Sequence, residues 1–117
     1  MKRDMELIRT LLINAENDVY QYGETAKVDG VDPKVCAYHV KLMIEAGLVD
    51  GHVTKSSSCP YVLARIDGLT NAGHDFLDRI KQDVLWRKAL DRAAGYGLDI
   101  LIQYIQQQAS ILILGAR

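Results

Sequence analysis

The sequence predicts a mainly α, α+β protein: helices in the majority, with one small β-hairpin and a helical extension at the C-terminal end. Three observations carry this. Apolar residues recur at helical spacing in four stretches, which argues for amphipathic helices. Two short β-prone runs, "LVDGHVT" and "YVLARI", flank the polar "KSSSCP" and read as a hairpin. The chain has 117 residues, 49% of them apolar and 25% charged, which suits one modest core and excludes a disordered chain.

The first helix is expected over residues 2 to about 15, where Met5, Leu7, Ile8, Leu11, Leu12 and Ala15 share one arc. The polar cluster Asn14 to Asp18 ends it. "VYQYG", Val19 to Gly23, is aromatic and β-branched and reads as a short strand. Gly23, Asp29, Gly30 and Pro33 then mark a turn-rich connection, with at most one helical turn in "ETAKV". Asp32 is placed as an N-cap, with Pro33 at the first position of a second helix. Gly47 is placed as the C-terminal stop of that helix. The hairpin follows. Thr70 then caps a long helix running to about Ala94, with Phe76, Leu77, Ile80, Val84, Ala89, Leu90 and Ala93 on its apolar stripe. Gly95 and Gly97 break it, and a final helix spans about Leu98 to Leu114.

Helix, strand, helix, hairpin, long helix, final helix is the order of a winged helix-turn-helix-like domain with a C-terminal helical extension. On that reading residues 1–94 form the domain, and 95–117 form a helix for packing or dimerisation. In "VCAYHVKLMIEAGLV", Val35 to Val49, a helix runs through Glu-Ala-Gly-Leu-Val into an extended segment, as a winged-helix recognition helix does. Residues 16 to 33 leave little room for the support helix that normally precedes it. The blocks "MKRDMELIR", "VCAYHVKLMIEAGLVDG" and "GLTNAGHDFLDRIKQDVLWRKA" resemble, in this order, an uncharacterised bacterial and prophage family thought to be winged-helix-like. The resemblance covers residues 1 to about 94. It implies a fold and a bacterial or phage setting, and it brings no activity.

Charge argues about partners. Lys plus Arg (14) nearly balances Asp plus Glu (15), for a net charge of −1 and a pI near 6.3. A nucleic-acid binder is usually basic, because neutralising phosphates supplies much of its affinity. DNA contact would need a local patch, and the candidates are Lys34 and Lys41 on the second helix with Lys55, Ser56 and Ser57 at the hairpin tip. The second helix has three faces at 100° per residue. Cys36, Val40 and Met43, with His39 at the edge, should face the core; Val35, Tyr38, Leu42 and Ala46 form a second face. Lys34, Lys41 and Glu45 form a narrow polar stripe. A helix apolar on most sides is buried on most sides. Val35, Tyr38 and Leu42 should therefore meet the chain's own C-terminal helix first, or else a second subunit or a partner protein, and with Leu101, Ile105 and Leu112 of the final helix they are the interface candidates.

Chemistry is sparse. Cys36 and His39 stand three apart, but zinc needs four ligands and no second close-spaced pair accompanies them, so a buried thiol and a hydrogen-bonded histidine are expected. No nucleophile motif, phosphate loop or carboxylate pair is visible, so no enzyme, cofactor or metal is expected. No signal peptide and no apolar run of roughly 18 residues is present, which predicts a cytoplasmic, soluble chain without membrane contact. The functional expectation is a small regulatory binding protein, a homodimer by winged-helix precedent, with duplex DNA as the ligand the fold analogy suggests. The alternative is a protein-interaction module, such as a phage adaptor or inhibitor of a host protein, that does not bind DNA. The near-neutral charge and apolar helix favour the alternative; the wing-like hairpin favours DNA.

Overall fold

The computed structural model describes residues 1–21, 23–81, 83–92, 97–98 and 100–103. The described elements run α1 (Met5–Glu16), α2 (Pro33–Glu45), β1 (Val49–Thr54), β2 (Leu63–Leu69), α3 (Asn71–Ile80) and α4 (Asp83–Arg92). Residues 98 and 100–103 are also helical. This is an α+β chain with a two-stranded antiparallel hairpin. Its contacts divide it into two compact units, Met1–His74 and Asp75–Arg117.

In the first unit, Asp4 opens α1: its carboxylate accepts from the amides of Glu6 and Leu7, two donors that the first turn would otherwise leave unpaired. Leu7, Ile8, Leu11 and Leu12 are buried, as the periodicity predicts. α1 packs on α2 and β2, and α2 packs on both strands. The core lies between these layers, where Ile8, Leu11, Val40, Met43, Leu48 and Ile66 are buried.

The connection between α1 and α2 departs from expectation. Val19, Tyr20 and Gln21 are not a strand; Tyr22 lies outside the described residues. Asp18 adopts a positive φ of 56°, and the Val19 amide donates back to the Asn14 carbonyl at 3.0 Å, so the chain turns off the helix there. Tyr20 then acts as a clasp. Its hydroxyl accepts from Asn14 Nδ2 at 3.1 Å and donates to the Lys27 carbonyl at 2.8 Å. An aromatic run suits a pleated surface only when a neighbouring strand supplies one. Here the contact with the sheet comes later, where the Ala26 amide donates to the Ala64 carbonyl at 2.8 Å.

In the hairpin, β2 begins two residues later than expected and runs on to Leu69. A bulge permits this: Gly51 pairs with Ile66 but Asp50 pairs with Gly68, so Asp67 is the extra residue and β1 stays continuous. Thr70 caps α3 as expected, its hydroxyl accepting from the Gly73 amide at 3.0 Å and donating to the Gly47 carbonyl. Gly73 sits over the Leu48 carbonyl, where any Cβ would overlap it. The start of α3 is thereby tied to the end of α2.

The expected long helix is two helices, with a turn at Lys81 after α3 and no glycine or proline at the break. In the second unit Phe76, Leu77, Ile80, Trp86, Leu98 and Leu101 are buried. Most of the expected final helix lies outside the described residues, Ile105 and Leu112 included. No helix among the described residues is long and apolar enough to cross a membrane.

Candidate functional site

The surface that the sequence singles out is built on α2. Asp32 caps its start by accepting from the Lys34 amide at 2.8 Å, and Pro33 supplies a preset φ. Its end is a Schellman turn. The Leu48 amide donates to the Met43 carbonyl at 2.9 Å and the Gly47 amide to the Ile44 carbonyl at 3.0 Å, with Gly47 at φ +75°. This turn aims the chain straight into β1, so one wall of the site leads directly into the other.

The inner face of α2 is Cys36, Ala37, His39, Val40 and Met43, all fully buried. His39 makes two hydrogen bonds. Its Nδ1 donates to the Val35 carbonyl at 2.7 Å, and its Nε2 accepts from the Asp4 amide at 2.8 Å. That pairing fits the neutral ring protonated on Nδ1. The residue that begins the cap of α1 is thus fastened to the middle of α2. Burial pushes the Cys36 thiol above its usual value, a backbone hydrogen bond at Val28 pulls it down, and the charge of Asp32 raises it further. Neither side chain is free to ligate, and no group of three metal-binding side chains occurs among the described residues. The reading of a buried thiol and a bonded histidine fits this geometry.

The outer side carries the predicted functional residues. Val35, Tyr38 and Leu42 are half-buried, and Lys34 is exposed. Tyr38 meets the Tyr61 ring edge-on, with centroids 5.1 Å apart. Lys41 Nζ lies 3.3 Å from Glu45 Oε1 and 5.2 Å from the Tyr61 centroid. The Glu45 hydrogen bond and charge, followed by Tyr61, hold the Lys41 ammonium above its usual pKa. The central cation of the stripe is therefore already engaged.

A groove of 370 Å³ separates this stripe from the hairpin. Lys41, Ile44 and Glu45 form one wall; Gly51, His52, Val53 and Lys55 form the other, with Pro60 and Tyr61 completing it. The structure therefore brings Lys41 and Lys55 to one groove. Ser56 is used within its own turn, where it accepts from the Cys59 amide at 3.0 Å while its own amide donates to the Cys59 carbonyl at 2.8 Å. Ser57 is exposed beside it. Arg65 pairs with Asp67 at 2.9 Å and the His52 ring stands 3.6 Å from the same carboxylate, so Asp67 is engaged within the hairpin. Sequence reasoning did not select Tyr61 or Val53. Tyr61 follows the turn "SSSCP" directly, a position from which an aromatic reaches back to the preceding helix.

Comparison with known proteins places the chain. It belongs to the family described as "Hypothetical protein (DUF2513)", which it matches over residues 2–99. A Haemophilus influenzae (strain Rd) protein described as "Uncharacterized protein" is 31% identical over 115 residues, which cover 97% of this chain and 96% of that relative. No solved structure matches the chain.

Proposed function

We propose, with membership of that family as the premise, that the chain is a small winged-helix-like regulatory binding protein of bacterial or prophage origin that engages another protein through α2 rather than reading DNA with it. The winged-helix-like reading rests on the order α1, α2, hairpin, and on the bond from Ala26 to Ala64 at the β2 edge, where such folds carry a third strand. No helix stands among the described residues between α1 and α2, so the usual support for major-groove docking is lacking there.

One observation carries the choice of ligand. α2 contains no Arg, Asn, Gln, Ser or Thr, and Lys41, its central cation, is paired with Glu45. Base reading depends on those residue types, and phosphate contact depends on available cations. The half-buried Val35, Tyr38 and Leu42 instead offer the mixed aromatic and aliphatic surface that protein interfaces use.

A second reading, duplex DNA, is favoured by the hairpin. Lys55 is exposed beside Ser57 and has no ion pair among the described residues; with Lys34 it would touch phosphates from two elements. Titration of the full chain with mixed-sequence duplex DNA across a salt series decides between them. The expected result is no saturable binding at low salt. Saturable binding with a clear negative salt slope, weakened by Lys34→Glu and Lys55→Glu, would overturn the protein-interaction reading.

A further inference from the structure

The two edges of the hairpin differ. β2 is flanked on both sides, by β1 and by Ala26, whereas β1 pairs only with β2 among the described residues. The Ala26 bond also fixes which backbone groups of β1 are unused. The Ala64 carbonyl points to Ala26, away from β1, so Ala64 and its partner Val53 form a non-hydrogen-bonded pair. In such a pair both residues turn their N–H and C=O outward. Val53 therefore presents a donor and an acceptor on the open edge, beside the groove that it lines. An open strand edge is a template for another strand.

We infer that two copies of the chain pair antiparallel through the outer edges of β1, about Val53, to form a four-stranded sheet with both α2 helices on one face. This does not depend on which ligand the chain regulates. The donor and acceptor of Val53 match those of its copy, so a two-fold axis at that residue satisfies all four groups. Antiparallel strands related in this way keep the same faces together, which brings the two α2 helices side by side. α2 covers both strands of its own hairpin. With strands about 4.8 Å apart, the helix axes then stand about 10 Å apart, at the upper end of ordinary helix packing. The groove is the space left for that neighbour.

Charge fits the same occupant. Each groove carries Lys55, which has no ion pair among the described residues, and Glu45 at the end of α2. Pairing about Val53 sets Lys55 opposite Gly51 of the other copy, which has no side chain in the way. From there the ammonium reaches toward Glu45 of that copy. An edge presented to an unrelated strand would not need this self-complementary placement.

The test is the solution mass of the full chain by light scattering, with two variants. Val53→Pro removes an N–H that the hairpin does not use, as prolines on natural edge strands do. The native chain is expected to be a dimer and V53P a monomer with an unchanged circular dichroism spectrum. Val53→Cys in a Cys59→Ser background places two thiols opposite each other across the axis. Facing residues of a hydrogen-bonded pair lie about 5.5 Å apart between Cα atoms, within disulfide range. That variant is expected to form a cross-linked dimer under mild oxidation. A monomeric native chain, a V53P variant that remains dimeric, or V53C chains that do not cross-link would each overturn the inference. Should V53P fail to fold, the cross-linking result alone decides.

Discussion

The inner and outer faces of α2 have similar apolar content and different fates. Inward, Cys36, Ala37, His39, Val40 and Met43 are wholly buried; outward, Val35, Tyr38, Leu42 and Ile44 are only partly covered. A histidine is thus deeper than a leucine on the same helix. Hydrophobicity alone does not sort them. His39 is buried because each ring nitrogen finds a backbone partner at 2.7–2.8 Å, which offsets the cost of removing it from water. Leu42 stays half-open because helical spacing turns it away from the strands.

Substitutions sharpen that contrast, beginning with the largest effect. Met43→Ala should lower the unfolding free energy by about 2–5 kcal/mol, the usual cost of deleting a fully buried side chain. Chemical denaturation would measure it, and a loss below about 1 kcal/mol would mean that the inner face repacks freely. His39→Leu keeps the volume but removes both hydrogen bonds and leaves the Asp4 amide without its partner, for a loss of about 1–3 kcal/mol. Amide exchange of the first turn of α1 should accelerate with it; unchanged exchange would show that the bond to Asp4 does not hold that turn.

On the outer face, Tyr38→Ala removes the edge contact with Tyr61 and should cost about 1 kcal/mol, together with a shift in the tyrosine fluorescence. Burial raises the Cys36 thiol and the Tyr20 phenol; for Tyr20, Asn14 opposes the shift and Cys36 adds to it. Both groups ionise more readily in the unfolded chain. Their contribution to stability is complete below their ordinary pKa values and is lost as pH rises through the raised ones. Denaturation midpoints should therefore fall through the alkaline range, and Cys36→Ala should reduce that slope. The smallest effect belongs to the polar stripe: Lys41→Gln should leave the midpoint unchanged, since exposed ion pairs contribute little. A measurable loss there would give the groove a structural role.

Much of this was legible in the residues. α1 and α2 are legible to within a few residues because each has a 3.6-residue period; α2 also shows its caps, Asp32 with Pro33 and Gly47, whereas the Asp4 cap that starts α1 at Met5 was passed over. The hairpin was visible from its polar tip. The segment from Val19 to Gly23 misled because aromatic residues favour strands only where a partner strand exists, and Tyr20 instead bridges Asn14 and Lys27. The break at Lys81 was invisible, since no glycine or proline marks it. Of the surface residues, Lys41 and Lys55 were selected separately and lie in one groove, whereas Tyr61 and Val53 were passed over. Nothing local in a sequence reports which residues a hairpin sets beside a helix.

The sequence by itself determined α1, α2 and the hairpin, because periodicity, caps and turn residues act within a few residues of chain. It also determined the balanced charge and the composition of each face of α2. Only the tertiary structure decided that the Asp4 amide binds His39, that Ala26 occupies one edge of the hairpin, and that β1, beside Lys41 and Glu45, pairs only with β2 among the described residues. Those are contacts between residues far apart in the chain, and they exist only once packing of the core has brought their backbones together.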